Sequence, residues 1–548
     1  MPWLLCYNRQ IHSPVQAMKD RTGEKLETMI LGLIVLLGGW LRFAPTVLSG
    51  EVINDGGMFY SMTQAVRDNQ YSLPQTITYN ELDVPFAYPA LPFYLTGLLT
   101  DVFGWPQMAL FRWLPAAIST LSILAFFLLA KGLLRGSPVA LLGTAAFAFL
   151  PRAYTWFVMG GGVSRGLGQF FMLLSLWAAS RAFTAKRVKY VLLTIVFGAL
   201  TAVSHPGQFL HTAILSACLW IYLDWKDFRR ALAMVGGVAV LSAPWWLTVV
   251  SRHGISPFLS AFQTGGFSGS FWLPLVFPTF AEEYFLTVFT IFGILGLVVH
   301  LIRRDYLFIL FLVLPFLADP RSAASVAIIP LAMLAGVGLN DLLLPGLARL
   351  VTANQEKGER YDGQDWLWLA GRYGSVRWLL GYFCFVSLLG AYAYDQPLSR
   401  TVVPPGSLEA MAWVRDHSPA GSRYLLLTGS GDPFGDPVRE WFPVYAQRVS
   451  VNTVQGREWE LGGNFLEYAS ELNVFQECMN AGLDCVDRAI SESGLTFDYL
   501  YILKVPVAAT SADTQNPALL TYQLARSSRY ENVYENQRVV IYSSLVQR

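Results

Sequence analysis

Eleven apolar runs constrain this chain more than any other feature. They lie near residues 29–49, 109–133, 137–151, 166–184, 189–204, 208–223, 230–250, 284–302, 305–318, 322–345 and 374–396. Crossing about 30 Å of hydrocarbon takes roughly 20 residues of helix. Several runs are shorter than that, which leaves their boundaries soft. Hydrophobic residues make up 54% of the sequence and charged residues 14%, where a soluble domain carries roughly 25% charged residues. A chain this apolar cannot turn its whole surface to water. The expectation is an α-helical polytopic membrane protein with about 11–13 transmembrane helices. A further run at 90–103 is short and holds Pro92; it reads as a re-entrant or interfacial helix, or as a twelfth span. The net charge of +1 says nothing about partners, no basic patch suggests nucleic acid, and 17 Trp and 25 Tyr suit belts against membrane lipids.

Sidedness follows from the basic residues. Residues 1–28 form a polar tail with Arg9, Lys19, Arg21 and Lys25, and the run after it is too long for a signal-peptide core. The tail shares one side with Lys131, Arg135, Lys186, Arg187, Arg229, Arg230, Arg303, Arg304 and the basic 346–373 linker. The positive-inside rule makes that side cytoplasmic. The other side receives the loops at 51–89, 152–165, 204–208, 251–283 and 319–322, and everything after 397. These assignments predict a multi-pass plasma-membrane protein whose membrane domain spans 29–397. Residues 398–548 have ordinary polarity. Helical stretches such as SLEAMAWVRDHSP alternate there with β-type runs such as RYLLLTG, FDYLYILKV and QRVVIYSSL. This pattern predicts an extracytoplasmic soluble α/β domain. Cys478 and Cys485 in that domain are either a disulfide or two buried thiols, whereas Cys6, Cys218 and Cys384 are isolated.

Candidate chemistry collects on the outer side. Asp55 lies just past the first run in EVINDGGMFY, with Gly56 and Gly57 allowing close approach of a ligand or a helix. It reads as a helix cap or turn residue, or as a general base held at the membrane interface for a lipid-carried substrate. As an interfacial carboxylate it is expected to contribute little to stability. Arg42 near the end of the first run either snorkels to the interface or meets an anionic ligand.

The order of features after Asp55 resembles the GT-C superfamily of polytopic glycosyltransferases, above all its protein O-mannosyltransferase and aminoarabinose-transferase-like members. The resembling residues are Asn54-Asp55-Gly56 in the first outer loop, Tyr88-Pro89-Ala90-Leu91 before the next helix, FRWLPAAIST at 111–120 and PRSAASVAIIPLAMLAGVGL at 320–339. The family's Asp-Glu pair lacks its Glu here, and a second Pro is replaced by Ala90. The resemblance covers most of 29–345. It implies transfer of a sugar from a polyprenyl-phosphate donor to a glycan, lipid or protein acceptor, with Asp55 as the catalytic base. Arginines would hold the lipid phosphate, since a guanidinium fork grips two oxygens at once. The substrate-binding candidates are Arg152 and Arg165 in PRAYTWFVMGGGVSRGLG, where a Gly-rich turn can present N–H groups to an anion, with His205, Arg321 and Tyr88. Each has a structural alternative: interfacial packing for Arg152 and Arg165, an ordinary interfacial role for His205, and a salt bridge with Asp319 for Arg321. No cofactor is expected. The alternative is a divalent metal (Mg or Mn) held by Asp55 with Glu282 and Glu283, as in oligosaccharyltransferase relatives. Two other functions fit such a chain: a transporter or flippase of lipid-linked saccharides, and a non-catalytic scaffold with a binding ectodomain.

Overall fold

The computed structural model describes residues 14–134, 136–264, 287–352, 370–505 and 516–545. Most of it is helix. The membrane part comprises α1 (Pro14–Ser49), α2 (Gly57–Asp68), α3 (Leu91–Phe103), α4 (Gln107–Leu133), α5 (Ser137–Phe149), α6 (Gly162–Ala185), α7 (Val188–Ala202), α8 (Pro206–Asp224), α9 (Phe228–His253), α10 (Ser256–Gln263), α11 (Val288–Ile302), α12 (Leu307–Ala318), α13 (Pro320–Gly338), α14 (Leu344–Thr352) and α15 (Gly374–Leu398). Among the described residues five helical stretches are long and apolar enough to cross a membrane: Glu24–Ser49, Gln107–Leu133, Phe228–His253, Pro320–Leu350 and Gly374–Leu398. The chain is a multi-pass membrane protein. Pro92 sits in the first turn of α3, where its missing N–H costs nothing. The 13 residues of α3 reach only about 20 Å.

α13 is the centre of the bundle and is buried along almost its whole length. Its small residues let neighbours come close. A Cβ on Gly296 would stand 2.0 Å from the Leu334 carbonyl oxygen, so α11 and α13 touch backbone to backbone. Arg42 is fully buried between α1, α4 and α5. Its Nη1 donates to the Gly38 and Ala148 carbonyls at 2.9 Å each, and its Nε donates to the carbonyl and hydroxyl of Ser119 at 3.1 Å each. It does not snorkel; its donors go to protein oxygens, and it ties three helices together.

The expected loop at 51–89 is a built element. It contains α2 and a hairpin of β1 (Thr76–Tyr79) and β2 (Leu82–Pro85). Asn80 and Glu81 between the strands have φ of 54° and 58°, the left-handed pair of a type I′ turn. Met58, Met62, Val66, Ile77, Tyr79, Val84 and Phe86 form a small core of their own under Trp459.

After α15 comes an α/β domain, as the polarity switch predicts. It contains α16 (Pro405–His417), β3 (Arg423–Leu427), α17 (Pro437–Tyr445), β4 (Val449–Ser450), α18 (Glu458–Leu461), α19 (Phe465–Ala481), α20 (Leu483–Ser493), β5 (Tyr499–Leu503), α21 (Ala518–Arg526), β6 (Tyr530–Glu535) and β7 (Val539–Ser544). The strand order is β4-β3-β5-β7-β6, with β3 parallel to β4 and β5, and β7 antiparallel to both its neighbours. Alternate residues feed two cores. Leu425, Leu427, Leu500 and Ile502 pack on α19, α20 and α21. Tyr424, Leu426, Tyr501 and Ile541 pack on α16 and α17, in a cluster that also takes in Val52, Phe111 and Val163 from the membrane part. The two parts therefore share a core. Cys478 and Cys485 form a disulfide between α19 and α20.

Candidate active site

The short segment after α1 is held from two directions. On one side stands the Gly-rich turn that opens α6. The Gly160 N–H donates to the Ile53 carbonyl at 2.9 Å. The Gly161 N–H donates to Asp55 Oδ1 at 2.8 Å. A Cβ on Gly160 would lie 2.0 Å from the Asp55 carbonyl oxygen, and one on Gly161 would lie 2.7 Å from Asp55 Oδ2. The glycines allow this close approach, and the Gly161 N–H is turned to the Asp55 carboxylate.

Arg165, one turn into α6, completes the grip. Its Nη1 donates to Asp55 Oδ2 at 2.7 Å, and its Nε donates to the Trp156 carbonyl at 3.0 Å. Among the described residues its Nη2 is buried with no hydrogen-bond partner, a situation that costs about 1–3 kcal/mol when an N–H is left without an acceptor. The Asp55 and Arg165 side chains keep 16% and 21% of their exposure, so the pair is reachable. A charge-assisted bond of this kind contributes about 1.5–3 kcal/mol. Asp55 is therefore a structural partner as well as a candidate base, contrary to the expectation that it contributes little to stability.

On the other side stands the C-terminal domain. Glu440 of α17 takes the N–H groups of Gly56 and Gly57 on its Oε1, at 2.7 and 3.1 Å. The Trp441 Nε1–H donates to the Asn54 carbonyl at 2.9 Å. A Cβ on Gly57 would stand 2.6 Å from the Glu440 carbonyl oxygen. Gly56 and Gly57 do admit a helix, and the helix is α17. Burial pushes the Glu440 carboxyl up to about 8, with the nearby Asp55 charge adding to the effect.

Around this pair lie Tyr88, Ser164 and His205. The Ser164 hydroxyl stands 3.2 Å from the Tyr88 hydroxyl and donates to the Ser204 carbonyl at 2.7 Å. The Tyr88 ring meets Phe59 at 4.8 Å and His205 and Trp459 at 6.1 Å each. Burial pushes the Tyr88 hydroxyl up to about 12, which keeps it a neutral donor. His205 accepts from the Gln208 N–H at 3.2 Å on its Nδ1 and so caps α8. Burial, then the Arg165 charge, holds it down to about 3 and therefore neutral. Arg321, in the first turn of α13, lays its guanidinium over Phe434 at 5.0 Å. Its expected alternative partner, Asp319, instead accepts from the Ser322 hydroxyl at 2.5 Å.

This architecture has counterparts. No family model matches the sequence, and no curated protein does. Solved structures do. The oligosaccharyltransferase of Archaeoglobus fulgidus aligns with a TM-score of 0.51 at 14% identity, over 87% of this chain and 69% of that one. ArnT from Cupriavidus metallidurans, bound to undecaprenyl phosphate, aligns with a TM-score of 0.52 at 16% identity, over 94% of this chain and 98% of that one. The arabinofuranosyltransferase AftD from mycobacteria gives 0.52 at 15%, over 94% of this chain but only 40% of its own length. All three are GT-C glycosyltransferases. The chain has the GT-C fold.

Within this GT-C fold, Asp55, Arg165, Tyr88 and His205 gather at one end of the bundle, and Arg321 stands at the same end beneath the C-terminal domain. Arg152 lies on the turn Pro151–Ala153, which packs on α13. Glu282 and Glu283, the metal alternative, lie outside the described residues. Among the described residues no group of three His, Cys, Asp or Glu side chains is placed to hold a metal ion. Sequence reasoning missed Glu440, Trp441 and Trp459. They are ordinary residues of a soluble domain, and no spacing ties them to Asp55. The one available signal was the Gly56-Gly57 pair, whose need for a close neighbour was legible although the neighbour was not.

Proposed function

We propose that this chain is a membrane glycosyltransferase that moves a sugar from a polyprenyl-phosphate donor to an acceptor hydroxyl on the extracytoplasmic face. The observation that carries the reading is one guanidinium with two jobs: Arg165 Nη1 holds Asp55, and Nη2 is buried without a partner. The acceptor oxygen attacks the anomeric carbon and gives its proton to Asp55. The bond from that carbon to the phosphate oxygen breaks, and its electron pair leaves with the lipid phosphate. Arg165 Nη2 is set to meet that growing charge, where a preorganised donor is most useful. As the phosphate draws Arg165 toward itself, Asp55 Oδ2 is released to the acceptor. Tyr88 and Ser164 supply neutral hydroxyls beside the pair, and Arg321 and Arg152 are further phosphate candidates.

Three findings support the reading. The GT-C neighbours are glycosyltransferases, and one is bound to undecaprenyl phosphate. The Cys478–Cys485 disulfide suits an oxidising compartment for the C-terminal domain. Lys131 pairs with Glu27 at the end of the bundle away from Asp55, which fits the basic loops lying on the cytoplasmic side.

The test is transfer by purified protein from a panel of polyprenyl-phosphate sugars. Asp55→Asn keeps size but cannot take the proton, and turnover should fall by about 10²–10⁴-fold. Near wild-type turnover would remove Asp55 as the base. If no donor supports transfer while lipid-linked saccharide crosses vesicles, a transporter replaces the enzyme.

A further inference from the structure

We propose that Glu440 is a positioning residue for Asp55, so that the C-terminal domain is a required half of the site rather than an appendage. The inference rests on the glycosyltransferase reading for its activity arm only. The residue after Asp55 is Gly56, and a carboxyl stands against it from the C-terminal domain.

The geometry is specific. Glu440 Oε1 receives the two N–H groups that follow Asp55, and Oε2 receives the Gln455 side-chain N–H at 3.2 Å. The Glu440 carbonyl accepts from the Tyr79 hydroxyl at 2.6 Å, which ties α17 to the hairpin. The hairpin tip is tied in turn: the Ser450 N–H donates to Asn80 Oδ1 at 2.7 Å, and Asn80 Nδ2 donates back to the Ser450 carbonyl at 2.8 Å. α17 itself is held rigidly. Asp436 accepts from the N–H groups of Val438 and Arg439, at 3.0 and 3.2 Å, and from Arg439 Nε at 2.6 Å, all fully buried. Arg439 Nη2 reaches the carbonyls of Ser430 and Asp432, at 3.2 Å each. A buried ion pair of this kind adds little net stability, but it fixes where the next residue points. The next residue is Glu440. Asp55 is thus clamped on its carboxylate by Arg165 and Gly161, and on its following backbone by Glu440.

The role predicts a split among kinetic constants. Glu440→Ala removes the acceptor of both N–H groups and lets Asp55 drift. Displacement of a reacting group by about 1 Å costs roughly 10²-fold in rate, so kcat should fall by about 10–10²-fold with the donor KM nearly unchanged. Glu440→Gln keeps an oxygen for the same N–H groups and should rescue most of the loss. Hydrogen exchange on the full-length protein in detergent gives a second readout that needs no activity. The peptide covering 53–58 should exchange faster in Glu440→Ala and as in wild type in Glu440→Gln. Unchanged exchange, faster exchange with unchanged kcat, a raised KM at constant kcat, or equal losses in Ala and Gln would each overturn the proposal. If the wild type transfers from no lipid-phosphate sugar, the glycosyltransferase reading fails, and the exchange comparison alone decides whether Glu440 holds the Asp55 segment.

Discussion

Two arginines, Arg42 fully buried and Arg165 half-buried, separate what holds this protein up from what it works with. Arg42 and Arg165 both sit at helix junctions, both touch an aromatic ring, and both have a carboxylate nearby. Arg42 lies 5.0 Å from the Tyr154 ring, whose hydroxyl bonds Asp395. Arg165 lies 5.7 Å from the Trp156 ring and bonds Asp55 directly. The difference is in saturation. Every guanidinium nitrogen of Arg42 meets a backbone carbonyl, the longest contact being Nη2 to Phe147 at 3.4 Å. Arg165 has one carbonyl, one carboxylate and one empty nitrogen. The half-buried Arg165 keeps both some exposure and an unused donor, and Arg42 keeps neither.

The comparison can be broken experimentally. The largest effect belongs to Arg42→Ala, which strips donors from carbonyls deep in the bundle. Stability should fall by about 3–5 kcal/mol, read as a large drop in detergent melting temperature. A melting curve like wild type would mean that those carbonyls need no arginine. Next comes Arg165→Ala, expected to cost about 1.5–3 kcal/mol and to raise the donor KM, with Arg165→Lys recovering part as a single point donor. If Arg165→Ala lowers the melting temperature as far as Arg42→Ala while transfer per folded molecule is unchanged, the two arginines do the same job.

A smaller effect should appear with pH. Glu440 faces Asp55, Arg165 and Tyr79, with Glu458 close by on the same domain. Its folded carboxyl is raised by burial to about 8, from about 4.3 in the unfolded chain. The stabilisation is therefore complete below the unfolded value and is lost as pH rises through about 8. Wild type should melt progressively lower from pH 5 to 9 relative to Glu440→Gln. Parallel curves for the two proteins would show that Glu440 is ionised throughout. The smallest effect is assigned to Arg321→Ala, about 0.5–1 kcal/mol for a cation over a ring at an exposed site. A donor KM raised more than in Arg165→Ala would move the phosphate outward to the Phe434 edge.

The helices were legible because apolar length is written locally. Described helix lies over each of the eleven runs, and the short 90–103 run became α3. The three β-type runs became β3, β5 and β7. The built loop was harder. Its α2 buries residues such as Met58, Met62 and Val66 on one face, yet the glycines and polar residues around it read as irregular. Asp55 and Arg165 were named from sequence, but not as partners, because their 110-residue separation hides the contact. His205 also caps α8, a local role that its lone place in the sequence did not show. Glu440 was invisible, since a single Glu on a soluble helix carries no mark of the distant glycines it will meet.

That distance has a consequence for biosynthesis. The contact between Gly56 and Glu440 spans 384 residues of chain. At synthesis rates of roughly 5–20 residues per second, about 20–80 s separate the emergence of the two ends from the ribosome. For that interval the nascent membrane part carries its Asp55 segment with one clamp in place and the other not yet made. The membrane bundle can assemble early from local contacts, but the site matures only when the last quarter of the polypeptide has folded against it.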